Sequence, residues 1–172
     1  MSITVQGNVY IFNTRTDGQH SNILVMNNSN GVVSPGLHVW TPSAPTNSLW
    51  NIVQDSPGGL YRIEMAVGGE TYVLAVSVGL TPVPNGQAMN GAVKPMPNGT
   101  LVTAYSGNTP SGYFDGWMMP YDTRILSGYG ICASPTNSAV SLDAGQYPDV
   151  IVWGFNSNVS QTWAVSSSYP SF

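Results

Sequence analysis

The chain has 172 residues, of which 42% are apolar and 7% charged, so it carries enough apolar surface for one globular core and is unlike a disordered chain. Four Lys and Arg against eight Asp and Glu give a formal charge of −4, leaving no basic face to neutralise phosphates, and no nucleic-acid partner is expected. The longest apolar stretches, such as 72–80, run about nine residues where a membrane helix needs about 20, so no transmembrane segment is expected.

The start, MSITVQGNVY, has no positive segment followed by an apolar one, which points to a cytoplasmic protein or one released without a signal peptide. Cys132 is the sole cysteine and can form no internal disulfide. Nineteen Gly and thirteen Pro punctuate the chain, and no window repeats apolar residues with helical period, so the pattern is all-β.

The runs between these breakers are rich in Val, Ile, Tyr, Trp and Leu, as strands are. In chain order the first four are NVYIFN (8–13), NILVMNN (22–28), LHVW (37–40) and LWNIV (49–53). The next four are LYRIEMA (60–66), TYVLAVS (71–77), LVTAY (101–105) and GWMMPY (116–121). The last four are TRILSG (123–128), GICASP (130–135), VIVW (150–153) and TWAVS (162–166).

The aromatic residues suggest that these are three copies of one unit. Trp40 and Trp50 stand ten residues apart, as do Trp153 and Trp163, while Tyr105 and Trp117, twelve apart, fill the same places in the middle copy. The predicted fold is therefore a single all-β domain, a β-trefoil of twelve strands in three four-stranded repeats at about 5–56, 57–121 and 122–170. Such a barrel, capped by three hairpins, covers strand edges without helices. The middle copy is lengthened by 78–99, rich in Pro, Gly and Asn, which reads as a surface loop.

Strand alternation sets Trp50 with Ile52 and Trp163 with Val165, so the fourth-strand tryptophans belong to the core. On the third strands Trp40 and Trp153 lie on the face opposite the small aliphatic residues. Two readings are open for each: a platform on which a sugar ring stacks, or an indole packed under the next loop.

The pattern MSITVQGNVYIFN, the strands LHVW and VIVW, and Gln161-Thr162-Trp163 at a QxW position together resemble the ricin-B-type (R-type) lectins, most closely their small mushroom members. The resemblance implies a sugar held by a strand-two Asp, a polar residue and an aromatic on strand three, and an Asn before the fourth-strand Trp. Carried across, it implies His38, Trp40 and Asn47 in the first copy. The Asp should fall at Val25, Ala75 and Ala133, so no copy is expected to keep it. Asn27 and Asn28 could replace part of that polarity, and Asp143, Asp149, Trp153 and Asn158 surround the corresponding hollow of the third copy. An Asn at such places is also an ordinary turn former. The second copy, with Thr103 and Tyr105, looks least like a sugar site.

No catalytic constellation can be assembled. Two histidines, His20 and His38, and one cysteine provide no metal-ligand spacing, and no phosphate-binding frame or nucleophile elbow is present, so neither a cofactor nor enzymatic activity is expected. Glu64 and Glu70 could pair as glycosidase acids but read as solvated surface, and Cys132 reads as a small core hydrophobe.

The resemblance implies a lectin whose partners are glycans or glycoproteins, with a defensive role against fungus-feeding animals; Trp and Tyr with few charges also suit a self-associating surface, such as that of a homodimer. The alternative is a trefoil that inhibits cysteine or serine proteases through a surface loop, with Lys94 and the 78–99 insertion as its contact. A trefoil that mediates protein contacts is a third reading.

Overall fold

The computed structural model describes residues 3–13, 22–54, 60–77, 98–118, 131–133, 140–154 and 159–171. They form a curled, antiparallel, all-β sheet. The first four strands are β1 (Ile3–Asn13), β2 (Asn22–Ser29), β3 (Val32–Val39) and β4 (Trp50–Gln54). Then come β5 (Tyr61–Val67), β6 (Glu70–Ser77), β7 (Thr100–Ser106), β8 (Tyr113–Phe114) and β9 (Trp117–Met118). The last are β10 (Cys132–Ala133), β11 (Val140–Asp143), β12 (Ile151–Gly154) and β13 (Trp163–Ser166), preceded by a 3₁₀ turn at Val159–Gln161.

Local chemistry sets the turns. Asn30-Gly31 and Gly68-Gly69 hold positive φ at both positions, the backbone of the tight hairpins that join β2 to β3 and β5 to β6. Asn8, at φ 54°, sits in the irregular stretch of the β1–β4 register, where its N–H donates to the Asn51 side-chain oxygen at 3.1 Å.

A continuous run of pairings passes through β13, β1, β4, β5, β9 and β10. On this run hang three hairpins, β2–β3, β6–β7 and β11–β12, each paired through its first strand with β1, β5 or β10. β8 is an additional short strand paired with β6, and β7 also pairs with β12.

The core repeats with this pattern. Ile11, Leu24 and Trp50, then Ile63, Leu74 and Trp117, then Ile131, Leu142 and Trp163 are all fully buried in one cluster. In each set the indole N–H donates to the leucine carbonyl: Trp50 to Leu24 at 2.9 Å, Trp117 to Leu74 at 3.2 Å and Trp163 to Leu142 at 2.9 Å. Burying a tryptophan requires a partner for its N–H, and all three find it in the first strand of a hairpin.

This correspondence corrects the strand assignment of the third copy. Cys132–Ala133, within the GICASP run, pairs as a first strand with the hairpin strand Val140–Asp143, a segment not singled out in the sequence. The run 123–128, expected as the first strand, lies outside the described residues, as do 78–97 with Lys94, and His20 and Asn158. The side chain of Cys132 likewise lies outside them, although its backbone pairs with Met118 and Ser141.

Among the described residues no helix is long and apolar enough to cross a membrane.

Candidate functional site

Strand register fixes which residues occupy equivalent places. Counting one residue beyond Leu24, Leu74 and Leu142 gives Val25, Ala75 and Asp143. The position expected for a carboxylate in the third copy is therefore Asp143 and not Ala133, which lies on β10. One copy in three has the acid.

The third-strand residues follow from the same register. Leu24 faces Leu37, Leu74 faces Ala104 and Leu142 faces Val152, so the next residues, His38, Tyr105 and Trp153, correspond. Trp40 stands two positions beyond His38 and is not the counterpart of Trp153, contrary to the shared ten-residue spacing.

Trp40 is half-buried. Its indole N–H donates to the Pro170 carbonyl at 2.7 Å, and it packs with Tyr10 and Tyr169 on Phe12, Ile23, Val25 and Ala164. The Tyr169 hydroxyl donates to the Thr41 carbonyl at 2.9 Å, and its ring meets Tyr10 edge-on with centroids 5.2 Å apart. The 167–171 segment thus covers the outward face of the first copy, the packed alternative for this indole.

In the third copy that face is different. Ser141 and Asp143 on β11 lie opposite Trp153 and Ile151 on β12, on the side of the hairpin away from Leu142 and Val152. Asp143 and Trp153 are thus diagonal neighbours on one face, about 7–8 Å apart at their backbones, within reach of one ligand.

Asp143 is only 6% exposed, and its carboxylate is held from two sides. Oδ1 accepts from the Gly145 N–H at 2.6 Å and Oδ2 from the Ser160 hydroxyl at 3.2 Å. A carboxylate has about four lone-pair positions, so these two bonds fix its orientation and leave acceptor capacity. Trp153, 37% exposed, is the only tryptophan among the large exposed hydrophobic residues of the described chain. On its other side Gly99, at φ 85°, has no side chain, and a Cβ there would come within 3.9 Å of the indole.

The QxW glutamine locks the strand end beneath this ring. Gln161, nearly fully buried, donates from Nε2 to the carbonyls of Trp153 at 3.3 Å and Gly154 at 3.0 Å, while Gly154 N–H donates to Asn98 Oδ1 at 2.7 Å.

Three residues before each fourth-strand tryptophan stand Asn47, Phe114 and Ser160. Their equivalence is structural: Met26 N–H donates to the Asn47 carbonyl and Ala144 N–H to that of Ser160, both at 2.9 Å, and Val76 pairs with Phe114. Asn47 donates from Nδ2 back to the Met26 carbonyl at 3.3 Å.

The remaining predicted residues are dispersed. His38 is exposed, with Nδ1 2.7 Å from the Val39 carbonyl oxygen. Asn27 and Asn28 lie on the exposed end of β2, the Asn27 amide against Gly36. Asp149 is exposed on the 144–149 turn, its N–H bonded to the Gln146 carbonyl. The second copy has Ala75 and Phe114 at the two polar places, Thr103 bonded to the Ala75 carbonyl, and Tyr105 edge-on to Tyr113. Hydrogen bonding to Tyr113, then burial, raises the Tyr105 phenol above its ordinary value.

Sequence reading did not single out Ser160, Gly145 or Ile151 for this site. The QxW spacing marks Ser160, since it stands three residues before Trp163 as Asn47 does before Trp50. No family model matches the chain, and a search of curated proteins finds no significant match.

Proposed function

We propose that the chain is a non-catalytic carbohydrate-binding protein, a β-trefoil of the R-type lectin kind, whose working site is the third copy. The observation that carries this reading is the placing of Asp143 and Trp153 on the hairpin face opposite Leu142 and Val152, the carboxylate anchored by Gly145 and Ser160. A carboxylate accepts from two adjacent sugar hydroxyls, and the apolar C–H face of a pyranose lies flat on an indole. Few polar groups fixed beside an aromatic surface are what a small-molecule site requires. The trefoil assignment is supported by the three Ile–Leu–Trp sets and the three hairpins that hang on one run of first and fourth strands.

The first copy supplies neither group: Val25 replaces the acid, His38 the aromatic, and the 167–171 segment covers Trp40. One site of this kind binds at about micromolar to millimolar affinity, and multivalent display raises the effective strength. The test is a glycan array probed with the folded protein. Binding to a chemically coherent set of glycans is the expected result, and a dark array under multivalent presentation refutes the reading.

A further inference from the structure

Beside Asp143 a cleft of about 250 Å³ opens between the first and third copies, lined by Asn13, Asn22, Val39, Ala144, Gly145, Tyr147 and Ser160. Two of these, Gly145 and Ser160, are the groups that hold the Asp143 carboxylate, so the cleft adjoins the residues that anchor the site above. Resting on the glycan-binding reading, we infer that this cleft is a second saccharide subsite and that the protein recognises an oligosaccharide through two rings rather than one.

Three features support it. Tyr147 is 55% exposed on the 144–149 turn and lines the cleft, presenting a flat ring on which a pyranose can stack. The turn is nevertheless fixed: Gly145 N–H is bonded to Asp143, Asp149 N–H to the Gln146 carbonyl, and the Pro148 carbonyl accepts from Leu37 N–H at 2.9 Å. A ring presented on an anchored turn loses little entropy when a ligand arrives. The opposite wall is polar and rigid, because Asn13 and Asn22 face each other across β1 and β2, both buried, with Asn13 Nδ2 donating to the Thr162 carbonyl at 2.8 Å. Val39, 40% exposed, adds an apolar patch. The Ser160 hydroxyl and the edge of Asn22 on one side and the flat Tyr147 ring on the other offer a pyranose polar and apolar contacts, as the Asp143 carboxylate and the Trp153 ring do.

The experiment is calorimetric titration of the intact chain with methyl glycosides of galactose, glucose, mannose, fucose and the N-acetylhexosamines, then with di- and trisaccharides that contain whichever of these binds. The expected result is at least one extended saccharide that binds about tenfold or more tightly than its monosaccharide. Tyr147→Ala, at an exposed position, removes that gain and leaves monosaccharide binding within about twofold. Val39→Arg, which fills the cleft from the other wall, does the same. If every extended saccharide binds no more tightly than its monosaccharide, or both variants keep the gain, the second subsite is refuted while the single-ring reading stands. If no saccharide of either length binds the folded chain, both fail together.

Discussion

The indole N–H of Trp163 donates to the Leu142 carbonyl at 2.9 Å, the same bond that joins Trp50 to Leu24 and Trp117 to Leu74. Each bond closes a fourth strand onto the first strand of a hairpin, so three local contacts hold the three copies in one register. Replacing any of these tryptophans by Phe leaves a buried carbonyl without its donor, at a cost of roughly 1–3 kcal/mol before the lost volume is counted. Denaturant unfolding of the three variants should show comparable losses. Trp153→Phe, at a partly exposed ring with no such bond from its indole among the described residues, should cost less, about 1 kcal/mol or below.

Gly145 is required for the approach of backbone to carboxylate. A Cβ at this position would lie 2.8 Å from Asp143 Oδ1. Gly145→Ala should therefore displace the carboxylate and reduce glycan binding about as much as Asp143→Ala, with a stability loss of roughly 1 kcal/mol. Calorimetric titration beside thermal unfolding separates the two effects, and unaltered binding would remove Asp143 from the site.

Trp40 and Trp153 should respond oppositely in binding. Trp40→Ala removes a half-buried ring and the bond to Pro170, costing roughly 1–3 kcal/mol, while binding persists. Trp153→Ala should abolish binding, with a stability loss of roughly 1–2 kcal/mol from the buried part of the ring.

Gly116 is buried, and a Cβ there would sit 2.7 Å from both Leu60 Cδ1 and Phe114 Cζ. Gly116→Ala should cost roughly 1–3 kcal/mol through overpacking, read as a lower denaturation midpoint with an unchanged slope.

Alkaline pH should weaken the second copy. Tyr105 is raised above its ordinary value near 10 by its hydrogen bond to Tyr113, then by burial and by the neighbouring phenol's charge. Its contribution to stability is complete below the unfolded value and is lost as pH rises through the folded one. Tyr113→Phe removes the acceptor, so the loss of stability above about pH 10 should be smaller in that variant than in the parent chain.

Much of the fold could be read from the sequence because its signals are local. Runs of Val, Ile, Tyr and Trp between turn residues mark strands, and alternation alone places Trp50 and Trp163 in the core, where both are fully buried. The site was less legible because it depends on register across strands. From the third-strand position to the core tryptophan the distance is twelve residues for His38 and Trp50, twelve for Tyr105 and Trp117, and ten for Trp153 and Trp163. The third copy has a connection two residues shorter, and this makes Trp40 mimic Trp153 in spacing. The second strand of that copy, VSLD, has two polar residues in four and no run long enough to announce a strand. The sequence places Asp143 near the hollow, but its equivalence to Val25 and Ala75 emerges only from the β11–β12 register and the bond from Trp163 to Leu142. The seal over Trp40 by residues 128 and more positions away has no local signature at all.

The most direct measurement is a glycan array probed in parallel with the parent chain, Trp153→Ala and Trp40→Ala, each shown to be folded by circular dichroism. The third-copy site predicts one coherent set of glycans bound by the parent and by Trp40→Ala and lost in Trp153→Ala. Loss in Trp40→Ala with retention in Trp153→Ala would contradict the assignment and return the site to the first copy.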